Sequence, residues 1–142
     1  MIELLCNHYG TPLPCGEYAF PTPEVLAILT PADLAHIKCG YRAPYIIDAA
    51  RRTASGSFNP STLQSEPVEI IKRALLQIHG VGPKVADCVL LYGFGRTDCY
   101  PIDVWIKRVM SQLYPSGFPP EIAEHSGIAQ QYLFHYARSV RD

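Results

Sequence analysis

The chain has 142 residues, 48% of them hydrophobic, and its twelve basic and thirteen acidic side chains leave a formal net charge of −1. That length suits one domain with a packed core and is short for two. No apolar run approaches the roughly 20 residues of a membrane span, and residues 1–10 lack the basic and apolar regions of a secretion signal, so a soluble intracellular protein without a membrane partner is expected. The charge balance excludes a protein held to a polyanion chiefly by bulk charge. The five cysteines (Cys6, Cys15, Cys39, Cys88, Cys99) form no CxxC pair. Zinc sites, iron–sulfur clusters and disulfide frameworks therefore lack their usual spacing, which leaves reduced, mostly buried thiols.

Thirteen prolines and ten glycines cut the sequence into short units, and the segments between them have helical periodicity without strand-like alternation, which predicts an all-α chain. Thr22-Pro23-Glu24 and Thr30-Pro31-Ala32-Asp33 each set a capping hydroxyl before a proline at a first helical position, predicting two short helices. Between Tyr41 and Ala54, residues Tyr45, Ile46, Ala49, Ala50 and Thr53 recur every three or four positions, with Arg51 and Arg52 outward, which predicts an amphipathic helix. Residues 55–65 are polar and contain Gly and Pro, so they are predicted to be a loop. Glu66-Pro67 then opens a helix carrying Ile70, Ile71, Ala74, Leu75 and Ile78.

The stretch from Leu75 to Leu90 is the most informative. A helix is expected to run to Ile78; Gly80-Val81-Gly82 turns the backbone sharply, with Val81 plugging the core, and a second helix starts at Pro83, where the missing amide costs nothing. Ala86 is small where the two helices approach. This pattern, spanning about residues 67–92, is a helix-hairpin-helix, whose turn amides and helix N-terminus can hold a DNA phosphate without reading sequence. His79, Gly80, Val81 and Gly82 are the DNA-binding candidates.

Two residues turn a binding hairpin into a candidate enzyme. Lys84 lies in the first turn of the second helix, and Asp103 follows in Tyr100-Pro101-Ile102-Asp103-Val104. A primary amine can attack the sugar C1′ of a damaged nucleotide, expel the base and remain attached as a Schiff base. Only the neutral amine attacks, so desolvation and the helix dipole favour the step. A nearby carboxylate opposes that neutral form, and its benefit comes later, in stabilising the cationic sugar and moving protons. Either residue alone also has a plain structural role, as a solvated helix residue or as the cap of the following helix.

The hairpin, its following Pro-containing turn and its Asp resemble the helix-hairpin-helix (Gly/Pro-Asp) base-excision repair superfamily. Within it, residues 80–88 resemble the 8-oxoguanine DNA glycosylase/lyases, as do Leu5-Cys6-Asn7-His8-Tyr9-Gly10, Phe20-Pro21-Thr22-Pro23 and Gly40-Tyr41-Arg42-Ala43. The resemblance implies that Tyr41 wedges into the gap left by a flipped base and that Arg42 contacts the orphaned cytosine. It implies equally that Gln130 reads the Watson–Crick edge of the flipped guanine, with Phe134 and Cys88 on its two faces. The backbone carbonyls of Leu76, Ile78 and Val81 are implied to hold a structural monovalent cation. No organic or redox cofactor is expected. The implied partner is double-stranded DNA containing damaged guanine or abasic sites, in the cytoplasm or nucleoid of a bacterium or the nucleus of a eukaryote.

Two departures accompany the likeness. Trp105 stands where some relatives carry a phosphate-contacting histidine, and Met1 falls part-way along a family helix. The resemblance therefore implies a partial, N-terminally truncated glycosylase fold, without the β-rich domain and first helices. Weak or absent activity is expected of this length, with self-association through apolar surface around Ile2, Leu4 and Leu5. Two alternatives stay open: a related oxidised-pyrimidine or adenine glycosylase, and a helix-hairpin-helix module that binds DNA without chemistry.

Overall fold

The computed structural model describes residues 1–139. Among them eight α-helices and three short 3-10 helices account for the regular structure, and strand-type pairing is limited to one isolated bridge between Pro12 and Tyr18. No helix among the described residues is long and apolar enough to cross a membrane. The chain divides into two compact units, residues 1–65 with 77–80 and residues 66–76 with those from 81 onward.

The first unit contains α1 (Ile2–Tyr9), α2 (Pro23–Ala27), α3 (Ala43–Ala54), α4 (Pro60–Leu63) and 3-10 turns at Ala35–Ile37 and Gly40–Arg42. Its core is Leu5, Leu26, Leu34, Ile37, Cys39, Ala43, Ile47 and Ala50. The buried stripe of α3 is thus Ala43, Ile47 and Ala50; of the predicted stripe Ala50 is buried and Ile46 packs against the core, while Tyr45, Ala49 and Thr53 are only half-buried. Two alanines on this stripe let α2 approach closely. Arg51 fastens the same pair: its Nε donates to the Ala27 carbonyl at 2.9 Å and a terminal nitrogen to that of Leu29 at 3.3 Å, where α2 ends. Arg52 does not face outward as predicted; it is half-buried, and its Nε donates to Asp48 Oδ2 at 2.8 Å.

Two local predictions need correction. Thr30 and Asp33 do form a reciprocal cap, with the Thr30 N–H and hydroxyl both 2.7 Å from Asp33 Oδ2, but turns and the 3-10 helix follow in place of an α-helix. The spacing of the core explains it: Leu34 and Ile37 are fully buried, and side chains three apart eclipse in a 3-10 helix. Each such burial is worth about 1.5–3 kcal/mol. The predicted loop contains a single helical turn, α4, because Asn59 Oδ1 accepts from the Ser61 and Thr62 N–H groups (3.0 and 3.4 Å) with Pro60 at the first position.

The second unit contains α5 (Val68–Leu75), α6 (Pro83–Tyr92), α7 (Val104–Leu113), a 3-10 helix (Pro120–His125) and α8 (Ser126–Ser139). Ile71, Leu75, Ala86, Leu90, Leu91, Phe94, Ile106 and Val109 are its buried apolar residues. An ion pair between Lys72 and Asp87 joins α5 to α6. Helix α5 stops at Leu75, three residues before the predicted end, and residues 77–80 belong to the first unit instead. Val81 is half-buried and does not plug the core; Ile78 and Ala86 are the buried residues of that stretch. At the chain start Ile2 is exposed as expected, whereas Leu5 is buried and Leu4 packs against the core. Of the thiols only Cys39 is buried; Cys6, Cys88 and Cys99 are half-buried and Cys15 is exposed.

Candidate active site

Pro83 begins α6 and Gly82 precedes it as N-cap, so Lys84 stands in the first turn, where unpaired N–H groups create positive potential. Its Nζ lies 3.9 Å from Asp103 Oδ2. Asp103 is the N-cap of α7, and its Oδ1 accepts from the Ile106 N–H at 2.8 Å. The two carboxylate oxygens therefore have separate tasks: one starts a helix and the other faces the amine. With the lysine side chain 57% exposed, the ion pair itself is worth at most about 1 kcal/mol. It does little to hold the fold.

These groups border a cavity of about 150 Å³, lined by Lys84, Cys88 and Tyr92 from α6, Pro101 and Asp103 before α7, and Gln130, Gln131 and Phe134 from α8. A cavity of this scale can take a six-membered ring. Burial pushes the Cys88 thiol up; the Lys84 charge partly offsets this, and Asp87 and Asp103 add to it. Cys88 is therefore a neutral, polarizable wall at ordinary pH, and its proton removes it from competition as a nucleophile. Gln130 is 3% exposed, and its Oε1 accepts from Gln131 Nε2. A buried amide held by a neighbour keeps a defined orientation.

The start of α8 is fixed by close backbone contact. Gly127 N–H donates to the Thr97 carbonyl at 2.7 Å, Ser126 Oγ to that of Asp98 at 2.9 Å, and Thr97 Oγ1 to that of Glu124 at 2.7 Å. A Cβ at Gly127 would come within 2.3 Å of the Cys99 carbonyl oxygen. Only glycine permits this approach, which sets the register of Gln130 and Phe134 along the pocket wall. Arg138 lies over the Phe134 ring, its guanidinium carbon 5.7 Å from the centroid.

The wedge candidates lie in the first unit. Tyr41 is 70% exposed, and the Arg42 guanidinium carbon lies 4.7 Å from the centroid of its ring. Tyr45 meets Tyr41 edge to face at 6.1 Å and His79 at 4.7 Å. Gly80 has φ +82, and a Cβ there would stand 2.3 Å from Tyr45 Cγ. Asp48 Oδ2 accepts the His79 N–H at 2.9 Å. That backbone donor, ahead of the Arg52 contribution, holds the Asp48 carboxyl below its ordinary value.

The structure thus gathers Lys84, Asp103, Cys88, Gln130 and Phe134 in one unit and Tyr41, Arg42, His79 and Gly80 in the other, while Val81 and Gly82 go with the former. The three residues named for a cation are also divided, Ile78 in the first unit and Leu76 and Val81 in the second. The sequence reading missed Tyr92, Pro101 and Gln131 in the pocket and Tyr45 and Asp48 behind the turn. Tyr92 could have been found, because Lys84, Cys88 and Tyr92 are four apart on one helix face. Asp48 carries no such signal: it meets His79 from 31 positions away.

A family model described as "HhH-GPD superfamily base excision DNA repair protein" matches residues 1–126. The "Probable N-glycosylase/DNA lyase" of Methanothermobacter thermautotrophicus is 39% identical over 116 residues, covering 75% of this chain and 37% of that protein. The structure of MBOgg1 in complex with a low-affinity DNA ligand matches with a TM-score of 0.86 and 43% identity, over 99% of this chain and 53% of that one. The Clostridium acetobutylicum 8-oxoguanine glycosylase/lyase, in complex with double-stranded DNA containing cytosine opposite 8-oxoG, matches with a TM-score of 0.83 and 33% identity over the same shares. The chain thus spans a little over a third of the archaeal relative and about half of each solved chain.

Proposed function

This chain belongs to the HhH-GPD superfamily of base excision DNA repair proteins, and from that premise we propose that it is the helical catalytic part of a bifunctional DNA N-glycosylase/lyase that removes 8-oxoguanine. The observation that carries the proposal is the Lys84 amine, 3.9 Å from Asp103 Oδ2, at the edge of a ring-sized cavity. In this mechanism the nucleotide leaves the duplex and its base enters the cavity, between Cys88 and Phe134, with its edge against Gln130. The neutral Lys84 nitrogen forms a bond to C1′ as the C1′–N glycosidic bond breaks; the base departs with that electron pair and gains a proton. The Asp103 carboxylate stabilises positive charge on the sugar and accepts the proton lost by the amine. The product is an aminal; its C1′–O4′ bond opens, O4′ taking a proton, to give the Schiff base, and loss of a proton from C2′ then expels the 3′ phosphate, which is the strand-nicking step.

Tyr41 and Arg42 would fill the vacated stack and meet the opposite base, and the turn amides would hold a phosphate. Borohydride trapping on an abasic duplex tests the proposal. The chain should form a covalent adduct, and Lys84→Gln should lose it while keeping duplex binding. Trapping that persists in Lys84→Gln would assign the nucleophile elsewhere, and binding with no adduct from the native chain would leave a DNA-binding module without chemistry.

A further inference from the structure

The Lys84 amine has two carboxylates as neighbours. Asp103 approaches from the cap of α7, with Oδ2 at 3.9 Å. Asp87 follows Lys84 by three positions on α6, a spacing that sets two Cβ atoms about 5–6 Å apart on one side of a helix. The proposed chemistry needs the amine neutral, and each negative charge beside it favours the protonated form. One acid is required to hold positive charge on the sugar. A second only opposes the attack.

Asp87 is already engaged from the other side. Its Oδ1 lies 2.5 Å from Lys72 Nζ on α5, with the two side chains 17% and 36% exposed. This pair is shorter and more enclosed than the one between Lys84 and Asp103. A cation this close holds the carboxylate toward α5 and offsets its charge. Even so held, Asp87 acts on the pocket: it precedes Cys88, and the charges of Lys84, Asp87 and Asp103 all bear on the Cys88 thiol. Release of Asp87 would therefore be felt at Lys84. The other charged groups around it are placed differently. Glu69 and Arg73 of α5 and Lys107 and Arg108 of α7 are exposed. Asp98 and Arg96 bear on Cys99, and Arg96 donates to the Glu66 carbonyl at 2.8 Å. Of the remaining pocket lining, Tyr92 carries a titratable hydroxyl and Gln130, Gln131 and Phe134 carry none, while Arg138 of α8 lies over the Phe134 ring.

We propose that Lys72 is a positioning residue for the reaction at Lys84: by binding Asp87 it withdraws the second carboxylate and leaves the nucleophile a single acid, Asp103. The inference rests on the catalytic reading of Lys84 above. Lys72 is not among the residues that line the pocket, so it acts only through Asp87. Its role is electrostatic and goes beyond joining α5 to α6.

Two measurements on the 142-residue chain separate this inference from the catalytic one. Single-turnover borohydride trapping at saturating abasic duplex gives the pH at which the rate reaches half its maximum. Competitive labelling with trace acetic anhydride, read on the Lys84 peptide by mass spectrometry, gives the pH at which the amine loses its proton without DNA. Lys72→Gln frees the Asp87 charge and should move both midpoints upward by about 0.5–1 unit; Asp87→Asn leaves the Lys72 charge alone and should move both downward by about as much. Lys72→Arg and the double variant Lys72→Gln/Asp87→Asn should return both to the native value. A merely structural pair predicts otherwise: each single variant loosens the same contact, so the two shifts share a sign or vanish. The inference is overturned if Lys72→Gln leaves the labelling midpoint unmoved, if the two single variants shift in one direction, or if the double variant keeps the Lys72→Gln shift. A native chain that labels at Lys84 but forms no adduct fails the catalytic proposal, and the labelling shifts then decide this one by themselves.

Discussion

The two oxygens of Asp103 can be separated by substitution. Asp103→Asn keeps an acceptor at the N-cap and removes the charge facing Lys84; Asp103→Ala removes both. Asparagine and aspartate cap helices about equally, and loss of such a cap costs about 0.5–2 kcal/mol, typically near 1. The ion pair adds little to stability, because the Lys84 side chain is more than half exposed and the separation is 3.9 Å. Asp103→Asn should therefore change unfolding free energy by less than about 0.5 kcal/mol. Asp103→Ala should cost about 1 kcal/mol, which for a chain of this size is a fall of roughly 3–4 °C in Tm. In single-turnover borohydride trapping on abasic DNA both should be slow, by a factor of about 100 or more, because the developing positive charge loses its partner in either case. Urea denaturation and trapping on the same preparations give the comparison. Equal destabilisation by the two variants would refute the capping argument, and native-rate trapping by Asp103→Asn would refute the electrostatic one.

Gly80→Ala combines a left-handed backbone conformation with a clash against the root of the Tyr45 ring; it should cost about 2–4 kcal/mol by urea denaturation, and a loss under about 0.5 kcal/mol would show that the turn relaxes freely. Gln130→Ala and Phe134→Ala should each weaken binding to an 8-oxoguanine duplex by about 1–3 kcal/mol while sparing abasic duplex; equal losses on both substrates would remove these residues from base reading. Asp48 should contribute acid sensitivity. Its carboxyl is held below the ordinary value of 3.8 in the folded protein, so its contribution is present above that value and lost as pH falls through the lower folded one. Asp48→Asn should flatten the fall in urea midpoint between about pH 5 and about pH 3, and parallel curves for variant and native chain would contradict this.

The parts of the site written in short-range chemistry were legible before any coordinates. Gly80, Gly82 and Pro83 mark a turn and a helix start by backbone rules alone and single out Lys84 in the first turn that follows, whereas Cys88, Gln130 and Phe134 were implied only by the resemblance to a family. The structure gathers the last four with Asp103 around one cavity. What periodicity could not give was phase and competition. The stripe of α3 was placed only in part, with Ala50 and Ile46 right and Ala43 and Ile47 missed, because its apolar residues outnumber the positions that the core can take and only the tertiary partner α2 chooses among them. The helix expected after Thr30 fails for a similar reason: its capping pair forms, but two core residues three apart favour the tighter turn. Tyr45 and Asp48 were invisible as supports of the turn, since nothing local to residues 45–48 announces His79 and Gly80.

The pocket is assembled from pieces that are separable in the chain. The amine comes from the first turn of α6 and the acid from the cap of α7, while Gln130, Gln131 and Phe134 all come from one helix, hung on a glycine contact at its own start. Under the proposed chemistry this lets lesion preference drift by substitutions along α8, with the reacting pair untouched. For laboratory evolution the target is therefore narrow: a library confined to positions 130, 131 and 134 explores new bases without spending variants on the nucleophile, provided Gly127 is left alone.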